Sequence, residues 1–247
     1  MSAKLERQGG RSPSELRTIK VTPNIIEHAE GSALIEFGRT RVICTASYED
    51  NIPKWLMNSG KGWVTAEYGM LPRATETRNK RDKTLTAGRT QEISRLIARS
   101  LRAAVDLRAL GERQITVDCD VIQADGGTRT ASVTGGFIAL ALALKKLHDF
   151  GEIKTIPLVR YVAAVSVGLQ AQEAFLDLDY IEDSAIGTDM NFVMTDLGQF
   201  IELQGTAEKE AFDRKDLMNM IDLAESGCRQ LFKVQSEFIG SFFKLPS

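Results

Sequence analysis

Apolar and polar residues alternate over residues 18–22, 32–37 and 40–46, the period-two signature of half-buried strands. Only Gly38-Arg39 separates the last two runs, which predicts a tight hairpin. Residues 62–73 read as a further strand that Pro72 brings to a stop. From Gly88 the period changes. Ile93, Leu96, Ile97, Leu101, Ala104 and Val105 recur at three- and four-residue steps, predicting one helix to about Leu110 with a single buried face. Arg95, Arg99, Arg102 and Arg108 fall outside that face and read as surface or interface charges. Residues 115–122 return to strand-like alternation, rich in β-branched side chains. Residues 131–147 then form an almost unbroken apolar and small-residue run, long enough for a buried helix.

The second half repeats the style without repeating the sequence. Residues 151–158 carry glycine and proline and are the best candidate for a boundary between halves. Residues 161–170 read as a buried strand, 173–180 follow it, and 189–195 turn through Asp196-Leu197-Gly198 into 199–205. A last amphipathic helix starts at Asp213 or Asp216, with Leu217, Met220, Ile221, Ala224, Cys228, Leu231 and Phe232 on its inner side. Residues 1–16 are polar and contain glycine, which suggests a flexible arm or an extended lead-in. The expected class is α/β with mixed sheets and packed helices, residues 1–150 and 151–247 forming two halves of a single compact unit.

The strand ending near Ile122 and the helix beginning near Ala131 are joined by Asp125-Gly126-Gly127-Thr128-Arg129-Thr130. A strand that breaks at two glycines and restarts as a helix leaves unpaired N–H groups at the positive end of the helix dipole, an arrangement that attracts an anion. Arg129 adds a forked guanidinium and Thr128 a hydroxyl, both matched to phosphate oxygens. The plainer alternative is a Gly-Gly turn with a solvated arginine. Arg89 is a second flag, because a cation at a helix start opposes the dipole unless an anion is present.

Two further stretches carry charge in a pattern. Residues 74–83 are polar, basic and without periodicity, and Arg73, Arg78, Lys80, Arg81 and Lys83 lie within a dozen positions. They form either a solvated, mobile loop or a steering patch for a polyanion. Glu182-Asp183-Ser184 and Asp189 place carboxylates at a strand–turn–strand junction. Asp183 with Asp189 suits a hard cation such as Mg²⁺ held by one or two carboxylates, waters and substrate phosphate; a hydrogen-bonded turn with solvated acids is the alternative.

Composition narrows the classes. The 247 residues, 43% hydrophobic and 26% charged, suffice for a proper core. A net charge of −2 argues against coating long nucleic acid, but not against holding one RNA end in a local basic patch. Three cysteines without metal-ligand spacing and two histidines argue against a Cys/His metal site. Cys44 and Cys119 lie in apolar strands and read as reduced core residues. Residues 1–10 lack the apolar core of a signal peptide, and the longest apolar run, around 137–144, is too short for a membrane span. A soluble, cytoplasmic protein with no membrane partner is expected.

The chain resembles the ribonuclease PH family over nearly its whole length. The resemblance rests on five motifs in order. Arg11-Ser12-Pro13 with Leu16-Arg17 and Gly62-Trp63-Val64-Thr65-Ala66-Glu67-Tyr68-Gly69-Met70-Leu71-Pro72-Arg73 come first. Gly88-Arg89-Thr90-Gln91-Glu92-Ile93, Asp125-Gly126-Gly127-Thr128-Arg129-Thr130, and Glu182-Asp183-Ser184 with Asp189-Met190-Asn191 follow. What the resemblance implies is a fold like domain 2 of ribosomal protein S5 and a phosphorolytic 3′-5′ exoribonuclease. Such an enzyme, a transfer-RNA nucleotidyltransferase, trims precursor 3′ ends with inorganic phosphate. It further implies phosphate at Arg89, Gly127, Thr128 and Arg129, and catalytic magnesium or proton chemistry at Asp183 and Asp189. RNA guidance would fall to Arg73, Arg78 and Arg81, and six copies would form a homohexameric ring, a trimer of dimers. Arg89, Arg129, Asp183 and Asp189 are all present, whereas catalytically silent ring subunits of this fold typically lack some of them. The apolar C-terminal residues Phe238, Ile239, Phe242 and Phe243 and the arginine-rich helix face are candidate pairing surfaces.

Overall fold

A computed structural model describes residues 7–80, 88–208 and 211–244. The first sheet is built from β1 (Ile19–Pro23), β2 (Gly31–Phe37), β3 (Thr40–Glu49), β4 (Trp63–Met70) and β5 (Gln114–Gln123), in the order β1-β2-β3-β5-β4. All neighbours are antiparallel except β4 and β5. The predicted hairpin is present, with Phe37 opposite Thr40 across the Gly38-Arg39 turn. The parallel pair needs a crossover. α1 (Gly88–Ala103) and the short α2 (Leu107–Leu110) lie within it.

These two replace the single helix that the apolar period predicts to Leu110. Around residue 105 the chain leaves the helical ladder for a tertiary partner. Val105 forms a β-bridge with Leu158, Asp106 N–H donates to Pro157 O (2.8 Å) and Val159 N–H donates to Ala104 O (2.9 Å). The Asp106 carboxylate then caps α2 by accepting from the Arg108 and Ala109 amides.

α3 (Thr128–Asp149) is the centre of the molecule. It packs against β2 and β3 of the first sheet and against β6 (Val162–Gln170) of the second, and is buried along nearly all its length. Small residues permit the close approach: a Cβ on Gly135 would lie 2.5 Å from Ile35. By length and apolarity this helix could cross a membrane, yet 83% of its most apolar window is buried within the protein. The second sheet, β7-β6-β8-β9, is antiparallel, with β7 (Glu173–Leu176), β8 (Thr188–Thr195) and β9 (Phe200–Ala207). α5 (Arg214–Ile239) packs on β6 and β7 and begins with a reciprocal cap between Asp213 and Asp216. One continuous apolar cluster joins both sheets through α3 and α5.

Two expectations are corrected. Of the two readings of residues 1–16, the flexible arm is the one corrected for the described part, from Arg7: Arg7 and Arg11 form ion pairs with Glu182, and Arg17 just beyond is buried against Asp177. The C-terminal apolar residues are largely used within the chain. Ile239 is fully buried, Phe243 stacks on Tyr161 at 5.2 Å between centroids, and Phe238 and Phe242 pack against the core.

Candidate active site

β4 and β5 run parallel and end side by side, and the chain beyond β5 enters the glycine turn. Gly126 and Gly127 both have positive φ, 72° and 64°, a conformation that side-chain-bearing residues rarely adopt. Gly127 is the N-cap of α3 and supplies no side-chain cap, so the first amides of a 22-residue helix stand open. Facing them is α4 (Tyr180–Ala185), followed by the start of β8. The acidic junction is thus a short helix rather than the expected turn. Asp179 and Glu182 close a capping box around it, with Asp179 accepting from the Glu182 amide and Glu182 accepting from the Asp179 amide. Glu182 is consumed by the fold, which leaves Asp183 one position on to face the cavity.

Between these elements lies a cavity of about 640 Å³. Its wall contains Arg89, Gly127, Thr128, Arg129, Asp183 and Asp189, so the residues expected at the phosphate and acidic sites converge on one space. Arg73 instead lines an adjoining groove of about 890 Å³ with Arg39, Tyr180 and Ile181; the two spaces share Thr75, Asn79, Ala124 and Tyr180. Arg78 is exposed and lines neither space. Arg81 lies outside the described residues. The start of the basic segment is tethered rather than loose. Asn79 N–H donates to Pro72 O, and Ala124 N–H donates to Ala74 O (both 2.8 Å), fixing it beside the glycine turn.

Charge in the cavity is divided. On one side Arg129 donates to Gln204 and approaches Glu92 at 3.8 Å, while Gln204 Nε2 donates to Glu92 Oε1 at 2.6 Å. Thr128 Oγ1 is 2.8 Å from the Tyr68 hydroxyl. Burial raises the Tyr68 pKa, so Tyr68 stays a neutral phenol, and either hydroxyl can be the donor in this bond. On the other side burial raises the Asp183 pKa, and the charge of Asp189 raises it further. Burial also raises Asp189, with Glu208 adding to it, while Arg129 and Arg89 pull both carboxyls down. Asp183 is open to solvent within the cavity although protein surrounds much of it. Arg129 thus pairs with Glu92 on one wall, while among the described residues neither Arg89 nor Arg129 closes an ion pair with Asp183 or Asp189 across the cavity.

The sequence assigns no site role to Tyr68 or Glu92, which it shows only as members of longer motifs, nor to Gln204 or Glu208. Gln204 and Glu208 belong to β9 and its end, 75 or more residues from the turn they face, so no local period marks them. Glu182 carried a readable signal, the Asp-x-x-Glu spacing of a capping box.

Residues 15–146 match the 3′ exoribonuclease family, domain 1, and residues 160–227 match domain 2 of the same family. This chain belongs to the 3′ exoribonuclease family. Ribonuclease PH of Bdellovibrio bacteriovorus is 66% identical over 239 residues, covering 97% of this chain and 98% of that protein. The fold resembles that of an Archaeoglobus fulgidus exosome with RNA bound to its active site, at TM-score 0.78, 22% identity and coverage of 93% of this chain and 92% of that one. An archaeal exosome core superposes at 0.74 with 23% identity, covering 94% and 91% of the two chains. Rice Rrp46 also superposes at 0.74, with 19% identity and coverage of 96% and 99%.

Proposed function

We propose that this chain, a phosphorolytic 3′-5′ exoribonuclease of transfer-RNA processing, performs its chemistry in the 640 Å³ cavity. Arg89, Arg129, Thr128 and the amides at Gly127 hold inorganic phosphate, and Asp183 and Asp189 serve the RNA terminus. An oxygen of phosphate attacks the phosphorus of the last phosphodiester, the bond to the preceding 3′-oxygen breaks, and a nucleoside diphosphate leaves. The shortened RNA keeps a free 3′-hydroxyl. Two anions must meet, so the dominant requirement is cationic neutralisation and positioning. The observation that carries the reading is the shared cavity of two arginines, an uncapped helix N-terminus and two carboxylates.

Asp183 and Asp189 form an oxygen-only donor pair whose charges repel, which suits a hard divalent cation completed by water and phosphate oxygens. Among the described residues no group of three or more metal-ligating side chains exists, so the site fits magnesium shared with substrate rather than an all-protein cage. Bound there, magnesium would supply charge stabilisation to the reacting phosphoryl oxygens. RNA enters along the adjoining groove past Arg73 and Arg39, with the exposed ring of Tyr180 at the junction available for base stacking. Precursor transfer-RNA 3′ ends, a homohexameric ring and a cytoplasmic setting complete the reading. Exposed Trp55, Phe200 and Leu203 offer apolar surface for self-association, and three buried free cysteines accord with a reducing compartment.

Arg129→Ala and Arg89→Ala test the assignment. Each raises the KM for phosphate roughly tenfold or more while leaving RNA affinity within about twofold. A loss confined to RNA affinity, with an unchanged phosphate KM, refutes it.

A further inference from the structure

The anion-binding turn does not hold its own shape. The peptides of residues 125–127 are gripped from the side away from the cavity. Arg17 Nη1 donates to Asp125 O at 2.6 Å, and both its terminal nitrogens reach Gly126 O at 3.5 Å. Thr40 Oγ1 donates to Gly126 O at 2.6 Å and accepts from the Asp125 amide at 2.9 Å. Within a trans peptide, C=O and the following N–H point in opposite directions. Pinning the Asp125 and Gly126 carbonyls on Arg17 and Thr40 therefore turns the Gly126 and Gly127 amides the other way, and both glycines line the cavity while Arg17 lines a different space behind the turn.

Arg17 is itself locked. Its Nε and Nη2 donate to the two oxygens of Asp177 at 3.0 and 2.6 Å, and its backbone amide donates to Asp177 Oδ2 at 2.8 Å. Asp177 is fully buried, at a positive φ of 54°. Arg7 and Arg11, from the same arm, each bond both oxygens of Glu182 at 2.9–3.2 Å, the residue that caps the Asp183 helix. One arm thus grips the turn and the acidic helix together. A buried ion pair is a poor device for stability alone, since an apolar replacement is often as stable. Its forked geometry across two successive peptides is what an apolar residue cannot reproduce.

We infer that Arg17, with Thr40 and the supporting Asp177, is a positioning residue for phosphate: it aims the turn amides into the cavity. The inference rests on the phosphate site proposed above. The test measures phosphate KM, kcat at saturating phosphate, and RNA affinity in Arg17→Lys and Thr40→Val, with Thr40→Ser as the hydroxyl-retaining rescue. The expected result is a phosphate KM raised on the order of tenfold in Arg17→Lys and Thr40→Val, RNA affinity within about twofold, and recovery in Thr40→Ser. Thr40→Val decides the matter if Arg17→Lys does not fold, because it keeps the side chain's shape and replaces only the hydroxyl with a methyl group. Unchanged phosphate KM in the folded variants, whatever happens to Tm, overturns the inference. A wild-type enzyme that ignores phosphate altogether would instead defeat the phosphate site itself.

Discussion

Gly126→Ala perturbs the place where the glycine turn touches the acidic helix. A Cβ there would lie 2.6 Å from Leu178 O and the Asp179 carbonyl carbon, and 2.8 Å from Tyr180 N. All three are backbone atoms and cannot swing aside. The approach is roughly 0.8 Å short of ordinary van der Waals contact, so the turn and the 178–180 segment must separate by about that much. The positive φ adds roughly 1–2 kcal/mol for any residue with a Cβ. For a chain of this size that term alone lowers Tm by about 2–8 °C. The larger effect falls on chemistry, since a displacement near 1 Å between reacting groups can cost on the order of a hundredfold in rate. The assay is steady-state phosphorolysis of an RNA with extra 3′ nucleotides, alongside thermal melts. Gly69→Ala is the control, since its Cβ would meet nothing closer than Asp120 Oδ1 at 3.4 Å. Gly126→Ala retaining more than about a third of wild-type kcat/KM would refute the claim that this contact sets the site's geometry.

Asp183→Asn should stabilise the ligand-free protein at neutral pH. Burial and Asp189 raise the Asp183 pKa above its ordinary 3.8, so the native state binds that proton more tightly than the unfolded chain, and stability falls as pH rises through the raised value. The variant's advantage should therefore be full at pH 7 and disappear below the ordinary carboxylate range. Melts without phosphate or divalent cations check this, and a larger advantage at pH 4 than at pH 7 contradicts it. Gln204→Ala removes the acceptor that holds Arg129 and should raise the phosphate KM roughly three- to tenfold, with Tm shifted by no more than a few degrees. An unchanged phosphate KM would mean that Arg129 needs no such support. Chelation with EDTA should abolish turnover and added magnesium restore it, while Asp189→Asn should remain folded and inactive at any magnesium concentration; full activity in that variant would place the metal elsewhere.

The parts of this fold that local pattern controls were legible. The 32–46 hairpin follows from two alternating runs around Gly38-Arg39, and the strand–glycine–helix passage at 115–147 from a change of period at two glycines. The uncapped start of that helix was legible too, because a glycine at the N-cap is a local property. What tertiary partners decide was not. Val105 leaves its helix to bridge Leu158, and no residue near it announces that partner. Residues 1–16 do not show from their own pattern that they are held, because Arg7 and the neighbouring Arg17 satisfy their charges on Glu182 and Asp177, 175 and 160 positions away. Glu182, Asp183 and Asp189 stand together in one junction, and the sequence singles out the last two as the pair suited to a cation. The capping box separates the first, which holds the helix, from the two that face the cavity.

The most direct test of the account is the identity of the released product. An RNA bearing extra 3′ nucleotides is incubated with the enzyme and magnesium, with and without inorganic phosphate. The account predicts nucleoside diphosphates that appear only when phosphate is present, at a rate that saturates with phosphate. Nucleoside monophosphates released without phosphate would contradict it, because water would then be the attacker and the arginine-lined turn would serve some other anion.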